Sequence, residues 1–282
     1  MFDRYPPKSV VVGIDGSQAA IRAARWAVDE VAGTDIPLRL LYVRKAHPGA
    51  SRREARAALV AAEEVLHDAC RAIDDLGKPL KLEAESIDGY PLRALINASR
   101  STTLICVGDK GSTQHPDAWL GSTAKELAQA AHCSVAIIRG DGHEADKKVS
   151  GYVVALTGET PDDLDVLDLA IYEALRRNAP LRVATIVQSR SRDVQPDRKA
   201  CVALDVLLRR ATHDHPELEI ESVCLDGSFL DYVATQVASI ELIMVSSGRT
   251  HEMQQLLGAD GELVLSGNDC SLLIVGLDRL GH

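Results

Sequence analysis

Short apolar runs alternate with longer stretches in which apolar residues recur at helical spacing, and the alternation persists along the whole chain. Val10–Ile14, Leu38–Val43, Leu80–Ser86, Leu104–Val107 and Val135–Ile138 read as strands. Apolar runs this short, bounded by Gly, Pro or polar residues, suit strands covered on both faces. Between them the spacing predicts helices over Ala19–Val31, Arg53–Leu76, Pro91–Ser99 and Ser122–Ala131. Ser17 stands where an N-cap belongs, Gly77 and Pro79 stop the long helix, and Pro91 opens the short one. Strand–helix alternation at this pitch is the pattern of a doubly wound parallel sheet.

The pattern then restarts. Tyr152–Gly158 echoes the first strand, and Pro180-Leu181-Arg182 repeats Pro37-Leu38-Arg39. Asp226-Gly227 repeats Asp88-Gly89, Leu242-Ile243 repeats Leu104-Ile105, and Cys270-Ser271 repeats Cys133-Ser134. The echoes keep their order at a displacement of about 140 residues, which marks a tandem duplication. The polar stretch Gly140–Ser150 is the expected boundary, giving domains 1–145 and 146–282.

Composition narrows the functional classes. The 282 residues are 46% hydrophobic but only 4% aromatic, so Ala, Val, Leu and Ile carry a sizeable core. A formal charge of −10 with no basic stretch interleaved with aromatics argues against nucleic acid as a partner. The basic stretch Arg44–Arg56 alternates with Ala and Glu and reads as the solvated start of a helix. No apolar run reaches membrane-spanning length and the N-terminus has no signal-like region, so the expectation is a cytoplasmic protein with no membrane partner. The cysteines form no C-x-x-C, and Cys106, Cys133, Cys224 and Cys270 are expected as buried free thiols.

One pattern carries chemistry. Val12-Gly13-Ile14-Asp15-Gly16-Ser17 ends the first strand, Gly108-Asp109-Lys110-Gly111 ends the fourth, and Gly121-Ser122-Thr123 opens the next helix. Glycines at such turns let the backbone approach a phosphate, and a helix start presents free N–H groups to it. In a doubly wound sheet the first and fourth strands flank the crevice where ligands bind. The pieces therefore predict a nucleotide site, with Asp15 at the strand tip able to accept from ribose or base, or to orient a metal through water.

VVGIDGS followed by G-x-x-G, nine residues and G-S resembles the ATP-binding universal stress proteins, in the tandem two-domain form found in actinobacteria. The resemblance covers nearly the whole chain. It implies two Rossmann-like, flavodoxin-like domains, each a five-stranded parallel sheet of order 3-2-1-4-5. Asp15 and Val43 would lie at the adenosine end, and Gly13, Gly108 and Gly111 along the ribose and phosphates. Gly121, Ser122 and Thr123 would hold the phosphate tail of ATP, with Mg²⁺ as counter-ion. The resemblance further implies a homodimer, an unidentified protein partner and a role in stress or dormancy responses. Two positions depart from the family: Ala124 replaces a frequent hydroxyl, and Asp117 places negative charge in the loop before Gly121.

The second half has lost the pattern. Aligned on the echoes, Thr157 replaces Asp15, Ala155 replaces Gly13, Ser246 replaces Gly108, and Arg249 replaces Gly111 and reads as a surface residue. Gly258 matches Gly121, but Ala259 and Asp260 follow it, and a carboxylate at that helix start opposes a phosphate. The site is therefore expected in the first half alone. His213-Asp214-His215 is read as a solvated loop rather than a metal cluster, and Trp26 and Trp119 as packing residues, with Trp119 also placed to cover the crevice. No general base for a γ-phosphate is evident, so ATP is expected to act as a ligand with at most slow hydrolysis. The alternatives are a scaffold that has abandoned nucleotide and, last, an adenylate-forming enzyme, whose Ser-Gly-Gly loop Asp15-Gly16-Ser17 matches poorly.

Overall fold

The computed structural model describes residues 9–45, 49, 51–112, 119–140, 151–158, 161–187 and 198–276. They fall into two compact units that divide within 141–150. Asp117 lies outside the described residues.

The first unit runs β1 (Val10–Ile14), α1 (Gln18–Val31), β2 (Pro37–Lys45), α2 (Arg52–Asp74), β3 (Lys81–Gly89), α3 (Pro91–Ala98), β4 (Leu104–Gly108), α4 (Ser122–Ala130) and β5 (Ser134–Ile138). Its strands pair in parallel in the order β3-β2-β1-β4-β5. The central strands β1, β4 and β5 are nearly all buried, as their uninterrupted apolar runs require. β2 and β3 extend beyond the expected strands, pairing from Pro37 with Lys81 to Lys45 with Gly89. Polar residues such as Ser86 and Asp88 are tolerated there because β3 is an edge strand and half its side chains meet water.

Helix starts follow local chemistry. Ser17 caps α1 by accepting from Ala20 N–H at 3.1 Å. α2 opens on a capping box, in which Ser51 accepts from Glu54 N–H and the Glu54 carboxylate accepts from Ser51 N–H at 2.8 Å. This box underlies the basic stretch that hid it in sequence. α1 turns a face of Ala19, Ala20, Ala23, Ala24 and Ala27 inward, and these small side chains let the helix lie close against the sheet.

The second unit repeats the plan with β6 (Tyr152–Thr157), α5 (Pro161–Arg177), β7 (Leu181–Ile186), α6 (Arg198–Asp214), β8 (Ile220–Leu225), α7 (Phe229–Gln236), β9 (Ile240–Ser246), α8 (Thr250–Leu257), α9 (Ala259–Leu265) and β10 (Ser271–Val275). Its parallel strands take the equivalent order, β8-β7-β6-β9-β10. Two expectations change here. His213 and Asp214 close α6 rather than lie in a loop, and the described residues contain no cluster able to hold a metal ion. Cys224 is exposed, because β8 is an edge strand, whereas Cys106, Cys133 and Cys270 are buried free thiols as expected.

Candidate functional site

A cleft of about 530 Å³ opens in the first unit at the carboxyl ends of β1, β2 and β4. Gly13, Asp15, Val43, Gly108, Gly111, Gly121, Ser122 and Thr123 all line it. The three separated sequence pieces thus meet at one surface, with α2 contributing Ala58 and Ala61. Among the described residues, Arg44, Lys45 and Lys110 also line the cleft with one acid, Asp15, and Arg44 is paired with Asp88 at 3.0 Å. A cleft of this size suits an elongated organic ligand.

The start of α4 is open. Gly121 is the N-cap of α4 and makes no side-chain cap. The first intrahelical pairing is Lys125 N–H to Gly121 C=O at 3.0 Å. The N–H groups of Ser122, Thr123 and Ala124 therefore have no acceptor among the described residues, and all three residues line the cleft. The Gly121 N–H is spent, because it donates to Asp109 C=O at 2.6 Å. Gly121 thus sets the end of the helix and cannot itself offer an N–H to a phosphate. Ser122 is the first helical residue and its hydroxyl is exposed.

Two of these residues also hold the turns together. Asp15 sits at the strand tip, and both oxygens accept backbone N–H groups, Oδ1 from Ser17 at 3.0 Å and Oδ2 from Ser112 at 2.8 Å. The Ser17 hydroxyl reaches Lys110 C=O at 3.4 Å. Asp15 and Ser17 therefore clasp the turn after β1 to the turn after β4, and Gly16 between them takes a left-handed φ of +83°. Gly108 is a packing glycine: a Cβ there would lie 2.5 Å from Ala19 C and 2.6 Å from Ala19 Cβ on α1. A Cβ on Gly111 would meet only Asp15 Oδ2 at 2.9 Å, and one on Gly13 the side chains of Val107 and Leu95 at 3.3–3.4 Å. Trp119 does not cover the cleft. It is 4% exposed, and the Arg139 guanidinium lies 4.7 Å from its ring centroid.

Sequence reasoning assigned no role to Asp109, which is 6% exposed. Its Oδ1 is 3.4 Å from Arg22 Nη2 and its Oδ2 is 3.7 Å from Arg139 Nε. A signal existed. Asp109 and Arg139 are opposite charges directly after two adjacent apolar strands whose last residues, Gly108 and Ile138, are register partners.

The second unit fills the equivalent place with its own side chains. Val10 pairs with Leu38 and Leu104, and Val153 with Leu181 and Leu242, so Thr157 matches Ile14 and Gly158 matches Asp15. The echo-based alignment was one residue out at this strand, and Leu156, not Ala155, stands at the place of Gly13. Arg249 is not a surface residue: its side chain is 21% exposed, and its Nε lies 2.9 Å from Oδ1 of buried Asp163 in the first turn of α5. The guanidinium crowds Gly158, where a Cβ would collide with Nη2. An internal ion pair thus occupies the space between the turns after β6 and β9.

The sequence model of the universal stress protein family matches residues 7–139. Universal stress protein Rv2028c of Mycobacterium tuberculosis is 38% identical over 99% of this chain and 100% of its own length. Universal stress protein Rv3134c of the same organism is 37% identical over 90% of this chain and 93% of its own. A crystal structure of a universal stress protein from Archaeoglobus fulgidus superposes with a TM-score of 0.72 over 99% of this chain and 100% of that one, at 16% identity, a likeness of fold. Near-full-length identity above a third, on a fold with paired glycine turns at one cleft, places this chain in the universal stress protein family.

Proposed function

We propose that the first unit binds an adenine nucleotide, ATP with Mg²⁺, as a regulatory ligand, and that the second unit does not. The observation that carries the reading is the open start of α4. Three unpaired N–H groups, from Ser122, Thr123 and Ala124, face a cleft that also holds Lys110 and the glycine turn. Unpaired donors at a helix N-terminus attract a phosphate through both hydrogen bonds and the helix dipole. The apolar wall of Val43, Leu41, Ala58 and Ala61 suits a flat base. Mg²⁺ would ride on the phosphates, neutralising charge, beside the hydroxyls of Ser122 and Thr123. Asp15 is committed to two backbone N–H groups and is a clasp rather than a metal ligand.

In the second unit Arg249 and Asp163 supply both charges internally, which supports a structural role for that half. Among the described residues none at the cleft is assigned as a general base, and the nucleotide is proposed to bias conformation or assembly rather than turn over. Within the family's stress and dormancy responses, the protein would act in the cytoplasm as a homodimer toward a protein partner. The open cleft speaks against a scaffold that has abandoned nucleotide, since Trp119 is packed away from it.

Isothermal titration with MgATP tests the reading. One site per chain is expected, and at a hundred times Kd the ligand should stabilise the first unit by about 2.7 kcal/mol. Absence of binding sinks the proposal, and two equivalent sites sink its asymmetry. Chemical cross-linking and sedimentation test the homodimer.

A further inference from the structure

Asp109 stands between residues that line the cleft yet does not line it. Gly108, Lys110 and Gly111 face the ligand space, while the Asp109 carboxylate turns inward between Arg22 of α1 and Arg139 after β5. Its main chain joins two further pieces. The N–H donates to Ile138 C=O at 3.1 Å, prolonging the β4–β5 ladder, and the C=O accepts from Gly121 N–H at 2.6 Å. One residue therefore ties α1, β5, the glycine turn and the start of α4. Arg139, packed on the ring of Trp119, extends the tie to the segment that enters α4.

A carboxylate this buried is tolerated because cations surround it, and the cations in turn hold its backbone in one orientation. That orientation points the carbonyl at Gly121. With the Gly121 N–H taken inward, the next three N–H groups of α4 are left facing the cleft. The second unit offers an internal comparison. Ser247 occupies the place of Asp109, donating its N–H to Val275 C=O at 2.8 Å. Gly258, the counterpart of Gly121, donates instead to Gln255 C=O at 3.4 Å, within the end of α8. Where the aspartate is missing, the tie from the strand to the helix start is missing too.

We propose that Asp109, held by Arg22 and Arg139, is the positioning residue of the phosphate end, fixing the start of α4 against the glycine turn so that its N–H groups converge on one anion. The inference rests on the nucleotide reading of the cleft, but part of it is measurable without nucleotide. The test uses the full chain with Asp109→Asn, Asp109→Glu and Arg22→Met. Hydrogen exchange at the Gly121 amide, followed by NMR without ligand, reads the tie. Titration with MgATP reads its consequence, and near-UV circular dichroism reads packing.

Asp109→Asn is expected to speed Gly121 exchange at least tenfold and weaken MgATP binding about tenfold. Asp109→Glu should restore part of both. Should Asp109→Asn fail to fold, Arg22→Met, which leaves the Arg139 contact, is expected to weaken binding a few-fold with faster Gly121 exchange. A folded Asp109→Asn, or a folded Arg22→Met, with wild-type exchange and wild-type affinity overturns the proposal. If the wild type binds no MgATP, the nucleotide reading fails, and the exchange contrast alone decides whether Asp109 positions α4.

Discussion

Gly108→Ala isolates the packing that places α1 against β4. The new Cβ would fall 2.5 Å from Ala19 C, 2.6 Å from Ala19 Cβ and 2.8 Å from Ala19 O. Carbon atoms rest at about 3.5–4.0 Å, so α1 must withdraw by roughly 1 Å. Two of the three opposing atoms are main chain in the first turn of a helix, and no rotamer change relieves them. Overpacking of a core costs about 1–3 kcal/mol, and this geometry calls for about 3. With a urea dependence of about 1–3 kcal/mol per molar, the unfolding midpoint should fall by about 1–3 M. Both tryptophans of the chain, Trp26 and Trp119, belong to the first unit, so fluorescence follows that unit alone. Adding Ala19→Gly removes one clashing atom and leaves C and O in place, so it should restore less than half of the loss. Gly111→Ala is the contrast: among the described residues its Cβ meets one side-chain atom, Asp15 Oδ2, at 2.9 Å, so the expected loss is the smaller one, about 1 kcal/mol, through the Asp15–Ser112 hydrogen bond. A Gly108→Ala midpoint within about 0.2 M of wild type would refute the packing argument, since even 1 kcal/mol should exceed that shift.

Ser51→Ala should cost about 0.5–2 kcal/mol by removing the capping box of α2, measured by the same unfolding curves. Arg249→Met should destabilise the second unit by about 1–3 kcal/mol, because it removes the guanidinium 2.9 Å from the buried Asp163 carboxylate; Arg249→Met with Asp163→Leu should recover most of this, and circular dichroism melts distinguish the outcomes. Burial, reinforced by the Asp74 carboxylate, raises the Cys70 thiol above its ordinary range. Since the thiolate is the nucleophile, Cys70 should react with iodoacetamide more slowly than exposed Cys224 at neutral pH and gain on it as pH rises, read by peptide mass spectrometry. Equal rates at neutral pH would contradict the assigned burial.

The element plan was legible because it rests on local chemistry. Apolar runs of strand length, the Ser17 cap, the stops at Gly77 and Pro79 and the proline at the start of α3 are each properties of a few neighbouring residues. The order of the echoes revealed the repeat for the same reason. Strand ends were less legible. β3 runs on through polar residues because an edge strand can point them into water, which depends on the sheet order. The capping box at Ser51 and Glu54 was readable in principle, but the arginines around it drew attention to charge.

At the cleft, the positions were visible in the chain and their duties were not. The glycine spacing pointed to the turns that meet there, because a doubly wound fold must bring the ends of its first and fourth strands together, whereas Ala58 and Ala61 of α2 were not legible from it. Which groups remain free to bind was decided in three dimensions. Asp15 spends both oxygens on N–H groups of two separate turns, Gly108 yields its space to α1, and Gly121 gives its N–H to Asp109. In the second unit, the register of β6 against its neighbours moved the correspondence by one residue, and the Arg249–Asp163 pair turned an apparent surface arginine into the filling of the crevice. Local pattern specifies helices, strands and turns because each is stabilised by near neighbours. Satisfaction of donors and acceptors joins residues about a hundred positions apart, so only the packed chain settles it.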